Sequence, residues 1–221
     1  MTTPRQEDRA VLQGRAAPLD IANLDTDQIM PKQFLRGIDK SGLAAGLLYD
    51  LRFDGAGRPH PAFVLNQPAF AAVDVLIAGS NYGCGSSREH AVWGMQQYGF
   101  KAVIASSFGE IFYSNAMNNG LLLAMVSEAD ARAFMREAGA SSGPMAVEID
   151  VEQQRVRTAG HEAPFSISER HRCMFLDGLD VIGASLALRD WIDAFAAQHW
   201  AQQPWVKDVA LRTRERLASG H

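Results

Sequence analysis

Short apolar runs alternate with helix-like segments between residues 73 and 139, and this alternation constrains the fold more than any other feature. The first run, residues 73–78, is apolar and β-branched apart from Asp74, as buried strands are, and the other two cover residues 101–106 and 121–126. Helical spacing follows each run, from Ser86 to about Tyr98, over 109–120 and over 127–139. Strands that alternate with helices predict parallel βαβ units and therefore an α/β fold.

The flanking regions predict additional elements around this core. Residues 12–31 indicate a strand that runs into an Asp-rich turn, and 36–61 indicate long loops around one short helix. Alternating apolar positions over 145–167 favour an antiparallel hairpin, and a last pair of helices is expected at about 168–176 and 185–198. Without repeats or a low-complexity linker, we expect a single domain over residues 1–221, with 1–10 and about 203–221 as peripheral tails.

Composition narrows the classes of function. The chain has 221 residues, 47% of them hydrophobic and 21% charged, as is usual in soluble globular proteins. A net charge of -4 argues against binding nucleic acid through phosphates, and no apolar run is long enough to span a bilayer. The absence of a secretory signal and the low cysteine content predict the reducing cytoplasm.

The two cysteines, Cys84 and Cys173, also limit metal chemistry. A structural zinc site usually takes four nitrogen or sulfur ligands, and an iron–sulfur cluster usually takes three or four cysteines. The sequence therefore predicts no metal and no cofactor in this chain, so that any such group must come from a partner.

A glycine-rich loop, GSNYGCGSSREH at 79–90, lies between a predicted strand and a predicted helix. Ser86 and Glu89 have the spacing of a capping box, which predicts that Ser86 caps the helix. The glycines allow close approach of a ligand, and the helix N-terminus together with Arg88 favours an anion, in particular a carboxylate. The alternative is a purely structural glycine turn with an ordinary cap.

The common phosphate and nucleophile motifs do not fit this loop. It lacks the Gly-Lys-Ser/Thr end of a P-loop, it places Arg88 at the third glycine of the dinucleotide fingerprint, and it contains no GxSxG. A carboxylate site that includes hydroxyl groups remains.

Four stretches resemble the small subunits of 3-isopropylmalate dehydratase, a branch of the aconitase superfamily. They are LDTDQIMPKQFLRG (24–37), NYGCGSSREHAVW (81–93), residues 98–122 and CMFLDGLDVIG (173–183). The resemblance implies an aconitase-type swivelling β/β/α domain, with a parallel βαβ core and additional antiparallel strands. It also implies a hydro-lyase of leucine biosynthesis that interconverts 2- and 3-isopropylmalate through isopropylmaleate.

The resemblance further implies roles for individual residues. Ser86 would be the catalytic base, while Ser87, Arg88 and Arg36 would bind the carboxylates of a small dicarboxylate substrate. Asp27 would orient these groups from behind. The enzyme would be active only with its large subunit, which would hold a 4Fe-4S cluster as the Lewis acid for the departing hydroxyl.

Alternatives stay open at this stage. Val92, Gly94 and Cys173 depart from the family pattern, and such changes fit either neutral packing or a related hydro-lyase acting on citraconate, dimethylmalate or homoaconitate. A thiol enzyme with Cys84 as nucleophile and His90 as base is a different class. A non-catalytic module that only binds carboxylates is the third alternative.

Overall fold

The structure, a computed structural model, describes residues 10–35 and 41–220. It divides after Asp180 into two compact units. The strands of the first unit are β1 (Val11–Leu19), β2 (Val75–Ala78), β3 (Ala102–Ala105), β4 (Leu122–Met125), β5 (Met145–Asp150), β6 (Arg155–Arg157) and β7 (Glu162–Pro164). Its α-helices are α1 (Thr26–Ile29), α2 (Tyr49–Arg52), α3 (Glu89–Tyr98), α4 (Glu110–Asn118), α5 (Glu128–Ala140) and α6 (Glu169–Asp177).

The strands form one seven-stranded mixed sheet in the order β4-β3-β2-β1-β5-β6-β7. The first four run parallel, with Ala17 opposite Leu76 and Leu76 opposite Val103. The last three continue from β1 as antiparallel neighbours. The predicted α/β fold with a parallel core and added antiparallel strands is therefore confirmed, and the hairpin expected over 145–167 is a three-stranded meander.

The centre of the sheet is buried because helices cover it. All four residues of β2 and all four of β3 are inaccessible to solvent, which explains their unbroken apolar sequence. Helix α5 packs against β1, β2 and β3 and buries Ala131, Phe134 and Ala138 at helical spacing. Its first turn is capped by Ser127, whose Oγ accepts from the backbone N–H of Asp130 at 3.1 Å.

The region between β1 and β2 consists of short helical turns. Besides α1 and α2, it contains 3₁₀ helices at Lys32–Phe34, Leu43–Gly46, Val64–Asn66 and Pro68–Phe70. The sequence predicted long loops with one short helix over 36–61, and within the described part of that range the structure has two, Leu43–Gly46 and α2. Each of the short helices between β1 and β2 lasts only about one turn and contains few periodic apolar positions, which is why periodicity did not reveal them.

The second unit begins at Val181 and is helical. It contains α7 (Val181–Leu186), α8 (Arg189–Gln202), a 3₁₀ helix at Pro204–Val206 and α9 (Val209–Ala218). Its exposed apolar side chains include Trp191, Phe195 and Leu217. None of the helices in the described part of the chain is long and apolar enough to cross a membrane. That both units form one domain with peripheral tails stays a prediction.

Gly83, in the loop after β2, provides a test of packing beneath this loop. Its φ is 75°, and a Cβ there would lie far inside van der Waals contact with the buried ring of Phe112. Gly120 has the same backbone conformation, with a φ of 76°, but nothing within 4 Å of a Cβ.

Gly83→Ala should therefore lower the free energy of unfolding by about 3 kcal/mol, the sum of left-handed backbone strain and overpacking. Gly120→Ala should cost only about 1 kcal/mol, because it adds the strain alone. Urea unfolding of the two variants measures the difference, and equal losses would contradict the packing described here.

Candidate functional site

Two loops leave the carboxyl ends of neighbouring parallel strands and meet at one edge of the sheet. The loop after β1 leads into α1, and the loop after β2 leads into α3. Backbone hydrogen bonds join them: Gly83 N–H donates to Leu24 O at 2.8 Å, and Thr26 N–H donates to Cys84 O at 2.9 Å. The parallel pairing of β1 and β2 thus continues beyond the strands and brings two distant motifs together.

Helix α1 begins with a reciprocal capping box. Asp25 Oδ1 accepts from Gln28 N–H at 2.7 Å, and Gln28 Oε1 accepts from Asp25 N–H at 3.1 Å. The N-terminus of this one-turn helix is therefore tied locally, which holds Thr26 and Asp27 in a defined direction.

Thr26 contacts three atoms of Ser86. Thr26 Oγ1 lies 2.9 Å from Ser86 O and 3.0 Å from Ser86 Oγ, and it accepts from Ser86 N–H at 3.1 Å. Thr26 is 1% exposed, whereas Ser86 is exposed. A buried hydroxyl therefore holds an exposed one from below.

The predicted cap of α3 by Ser86 is wrong. The helix begins at Glu89 with Arg88 as its N-cap residue, and no side chain caps it. Ser86 is instead bonded to Thr26, and the Glu89 carboxylate accepts from Asn119 Nδ2 at 2.6 Å. Partners from distant segments satisfy both side chains, so the local motif does not form.

Arg88 forms an ion pair with Asp27 through Nη1 and Oδ1. The Arg88 side chain is 25% exposed and that of Asp27 is 58% exposed, so the guanidinium is partly buried at the rim. The consecutive residues Thr26 and Asp27 thus hold Ser86 and Arg88, respectively.

The structure brings together four of the five residues that the sequence singled out. Ser86 and Ser87 are exposed side by side on the loop, and Arg88 and Asp27 are paired next to them. Arg36 lies outside the described residues. The catalytic and binding roles of all five stay predictions. Thr26 was missed, although its place between two aspartates of the same motif was a signal.

Tyr82 supports the loop from inside the core. It is fully buried, its ring lies 5.5 Å from that of Phe112 in an edge-on arrangement, and its hydroxyl contacts Met95 Sδ at 3.5 Å. Burial strongly raises the pKa of the Tyr82 phenol above its usual value. Tyr82 therefore stays neutral and acts in packing.

Cys84 and His90 have separate partners. Cys84 Sγ donates to Asn23 O at 3.3 Å, and the His90 ring packs 4.8 Å from the Trp93 ring. The geometry does not favour a thiol–imidazole pair, because each group is engaged elsewhere. Cys173 is exposed on α6, where its hydrogen bond to Glu169 raises the pKa of the thiol.

The arrangement is suited to bind a carboxylate. It combines the uncapped N-terminus of the ten-residue helix α3, the donors of Arg88 and the two exposed serine hydroxyls. Within the described residues, no group of three or more His, Cys, Asp or Glu side chains could hold a metal ion.

Comparison with known proteins assigns the family. The sequence profile of the Aconitase C-terminal domain matches residues 9–128, which include both loops of the site. The chain belongs to this family. The Ser86 loop and the DTD turn, Asp25 to Asp27, are therefore both parts of an aconitase C-terminal domain.

Several relatives that match most of this chain are named as small subunits of 3-isopropylmalate dehydratase. A 3-isopropylmalate dehydratase small subunit 1 from Chromobacterium violaceum is 61% identical over 94% of this chain and 97% of its own length. A 3-isopropylmalate dehydratase small subunit from Caulobacter vibrioides is 46% identical over 89% of this chain. A small subunit 2 from Salmonella typhimurium is 41% identical over 90%.

A solved structure agrees with the family. The crystal structure of 3-isopropylmalate dehydratase (LeuD) from Methanocaldococcus jannaschii superposes with a TM-score of 0.60 at 28% identity. It covers 83% of this chain and 98% of its own. The aconitase-type fold implied by the sequence resemblance is confirmed.

Removing the N-cap of α1 should increase the mobility of the Ser86 loop, while removing the N-cap of α5 should not. Asp25→Ala and Ser127→Ala each delete an N-cap acceptor and should each cost about 1 kcal/mol of stability. Only Asp25→Ala should speed amide hydrogen exchange at Ser86, because only α1 carries the Thr26 hydroxyl that accepts from the Ser86 N–H. Hydrogen exchange measured by NMR checks this expectation, and equal exchange in the two variants would contradict it.

Proposed function

We propose that this chain is the small subunit of a 3-isopropylmalate dehydratase, a hydro-lyase that interconverts 2- and 3-isopropylmalate through isopropylmaleate in leucine biosynthesis. The observation that carries the proposal is 61% identity to such a subunit over 94% of the chain. The geometry of the Ser86 loop supports it, because a hydroxyl and an arginine lie together at a helix N-terminus.

Dehydration of a hydroxy diacid needs a base for a carbon-bound proton and donors for the charge that develops in the adjacent carboxylate. In the proposed reaction, Ser86 Oγ takes the proton from carbon and returns it in the reverse direction. Arg88 and Ser87 hold substrate carboxylates, and Asp27 keeps the Arg88 guanidinium in place through their ion pair. Arg36 is the further candidate for a carboxylate contact.

The third requirement is a Lewis acid, and we assign it to a partner. The relatives are named small subunits, so the partner is a large subunit, and we propose that it carries a 4Fe-4S cluster, which would supply the Lewis acidity for the departing hydroxyl. This chain has two cysteines, both free thiols, which fits a cluster held elsewhere and a reducing cytoplasm.

The exposure of the loop supports a site completed at a subunit interface. Gly85, Ser86 and Ser87 are consecutive exposed residues. A serine hydroxyl is a poor base in water because it holds its proton tightly, so it could act as a base only where the helix N-terminus and Arg88 stabilise its alkoxide. The large subunit would exclude that water and bring the cluster next to Ser86.

Isopropylmalate is the first choice of substrate, and the related hydroxy acids are the second. Val92 and Gly94, where the sequence departs from the family pattern, are both buried, and a Cβ on Gly94 would collide with Met30 Cε. These departures therefore fit compensated packing better than a change at the exposed rim of the site.

The substrate assay uses this chain mixed anaerobically with the large subunit encoded in the same genome. Alkene formation and loss are followed in the ultraviolet with 3-isopropylmalate, citramalate and homocitrate side by side. Turnover that requires both chains and favours 3-isopropylmalate is expected. Preference for another acid would move the substrate to a related hydro-lyase, and an intact, assembled but inactive complex would favour the carboxylate-binding module.

Loss of the base should strongly reduce turnover and leave assembly intact. Ser86→Ala should lower kcat about 10³-fold, within the range for removal of a general base. Ser80→Ala is the matched control in the same loop and should retain kcat, because the backbone carbonyl of Ser80 that accepts from Asn23 N–H remains. Steady-state kinetics of the assembled complexes measure both, and near-normal turnover of Ser86→Ala would refute the proposed base.

The thiol alternative has its own test. Cys84→Ser should keep kcat within about threefold in the assembled enzyme, because a hydroxyl can still donate to Asn23 O in place of the thiol. Loss of activity comparable to that of Ser86→Ala would instead restore Cys84 as a candidate nucleophile.

A further inference from the structure

We propose that Thr26 is a positioning residue that tunes Ser86 as a base: it holds the Ser86 backbone, and its hydroxyl donates a hydrogen bond to Ser86 Oγ when that oxygen is deprotonated. This inference rests on the proposed function, in which Ser86 is the base. It starts from one observation: a single hydroxyl lies within hydrogen-bond distance of the N, O and Oγ atoms of Ser86, at 3.1, 2.9 and 3.0 Å.

The proton count of these contacts allows two states. Ser86 N–H can only donate, so Thr26 Oγ1 accepts from it in both states. When Ser86 is neutral, the Thr26 hydroxyl donates to Ser86 O and accepts from the Ser86 hydroxyl. When Ser86 Oγ has lost its proton, the Thr26 hydroxyl turns and donates to that oxygen. Thr26 keeps its proton throughout, and only the direction of the bond changes.

Thr26 is placed so that water cannot replace it in this role. The residue is 1% exposed, its N–H donates to Cys84 O at 2.9 Å, and its carbonyl accepts from Met30 N–H at 3.0 Å. With the backbone bonded on both sides and a β-branched side chain, its χ1 angle has little freedom. The Thr26 hydroxyl therefore stays beside Ser86 Oγ and can donate a hydrogen bond to that oxygen when it becomes charged.

Asp27 makes the location specific. As the next residue on α1, it pairs with Arg88, two residues beyond Ser86. One turn of helix thus serves the proposed base and the proposed carboxylate-binding arginine with adjacent side chains. Because Thr26 is buried and Arg88 is only partly so, Thr26 acts through Ser86 and not on the substrate.

The test compares Thr26→Val, which keeps the shape but removes the hydroxyl, with Thr26→Ser, which keeps the hydroxyl. In the assembled enzyme Thr26→Val should lower kcat about 30-fold with KM within about twofold, as expected for a lost hydrogen bond to a charged group. The rising limb of log kcat against pH should move about one unit upward, because the alkoxide of Ser86 loses a donor. Thr26→Ser should match the wild type in both respects.

Other outcomes overturn the inference. A normal kcat and an unshifted limb in Thr26→Val would overturn it, and so would equal losses in both variants without a shift, since those indicate a structural role. If Thr26→Val fails to assemble, Thr26→Cys replaces it: a thiol is a weak donor, so an intermediate shift is expected and an unshifted limb overturns the inference.

The Ser86→Ala variant separates the two proposals. If Ser86→Ala is inactive while Thr26→Val behaves as the wild type, only the role of Thr26 is wrong. If Ser86→Ala retains turnover, or if the wild-type complex has no dehydratase activity, the proposed function is wrong and the role of Thr26 falls with it.

Discussion

Parallel pairing of β1 with β2 is the constraint on which the site depends. The two strands are adjacent and point the same way, so the segments that follow them must leave from the same edge of the sheet. Backbone bonds from Gly83 to Leu24 and from Thr26 to Cys84 extend that pairing into the loops. The arrangement of hydroxyl, carboxylate and guanidinium groups is a consequence of this pairing, even though the two segments are some 60 residues apart.

The site has a buried layer beneath the Ser86 loop and an exposed rim above it. Thr26 and Tyr82 lie beneath the loop and are shielded from water, while Ser86 and Ser87 lie above them and are accessible. This division separates two tasks: the buried side chains fix geometry, and the exposed ones are free for a ligand. Because Gly83 lies against Phe112 in the buried layer, a larger residue there would displace the loop that carries the exposed serines.

Much of the fold could be predicted from sequence, because buried parallel strands leave a clear pattern. The runs at 73–78, 101–106 and 121–126 are apolar except for Asp74, Lys101 and Ser106, since β2 and β3 are buried and β4 is exposed only at Met125. The short turns over 41–70 and the third antiparallel strand left no comparable periodicity, and the structure was needed to find them.

The site was predictable in its parts but not in its connections. The glycine loop and the DTD turn were recognisable, yet a Ser-x-x-Glu pattern indicated a cap that does not form, because Ser86 bonds to Thr26 and Glu89 to Asn119. The true capping box uses Asp25 and Gln28. Local patterns cannot show that a side chain has a better partner far away in sequence.

The hydrogen bonds between Thr26 and Ser86 also affect how a partner can dock. The backbone N–H, the backbone oxygen and the hydroxyl of Ser86 are already bonded. This part of the loop therefore has little conformational entropy left to lose, and a docking partner meets a surface that is already ordered.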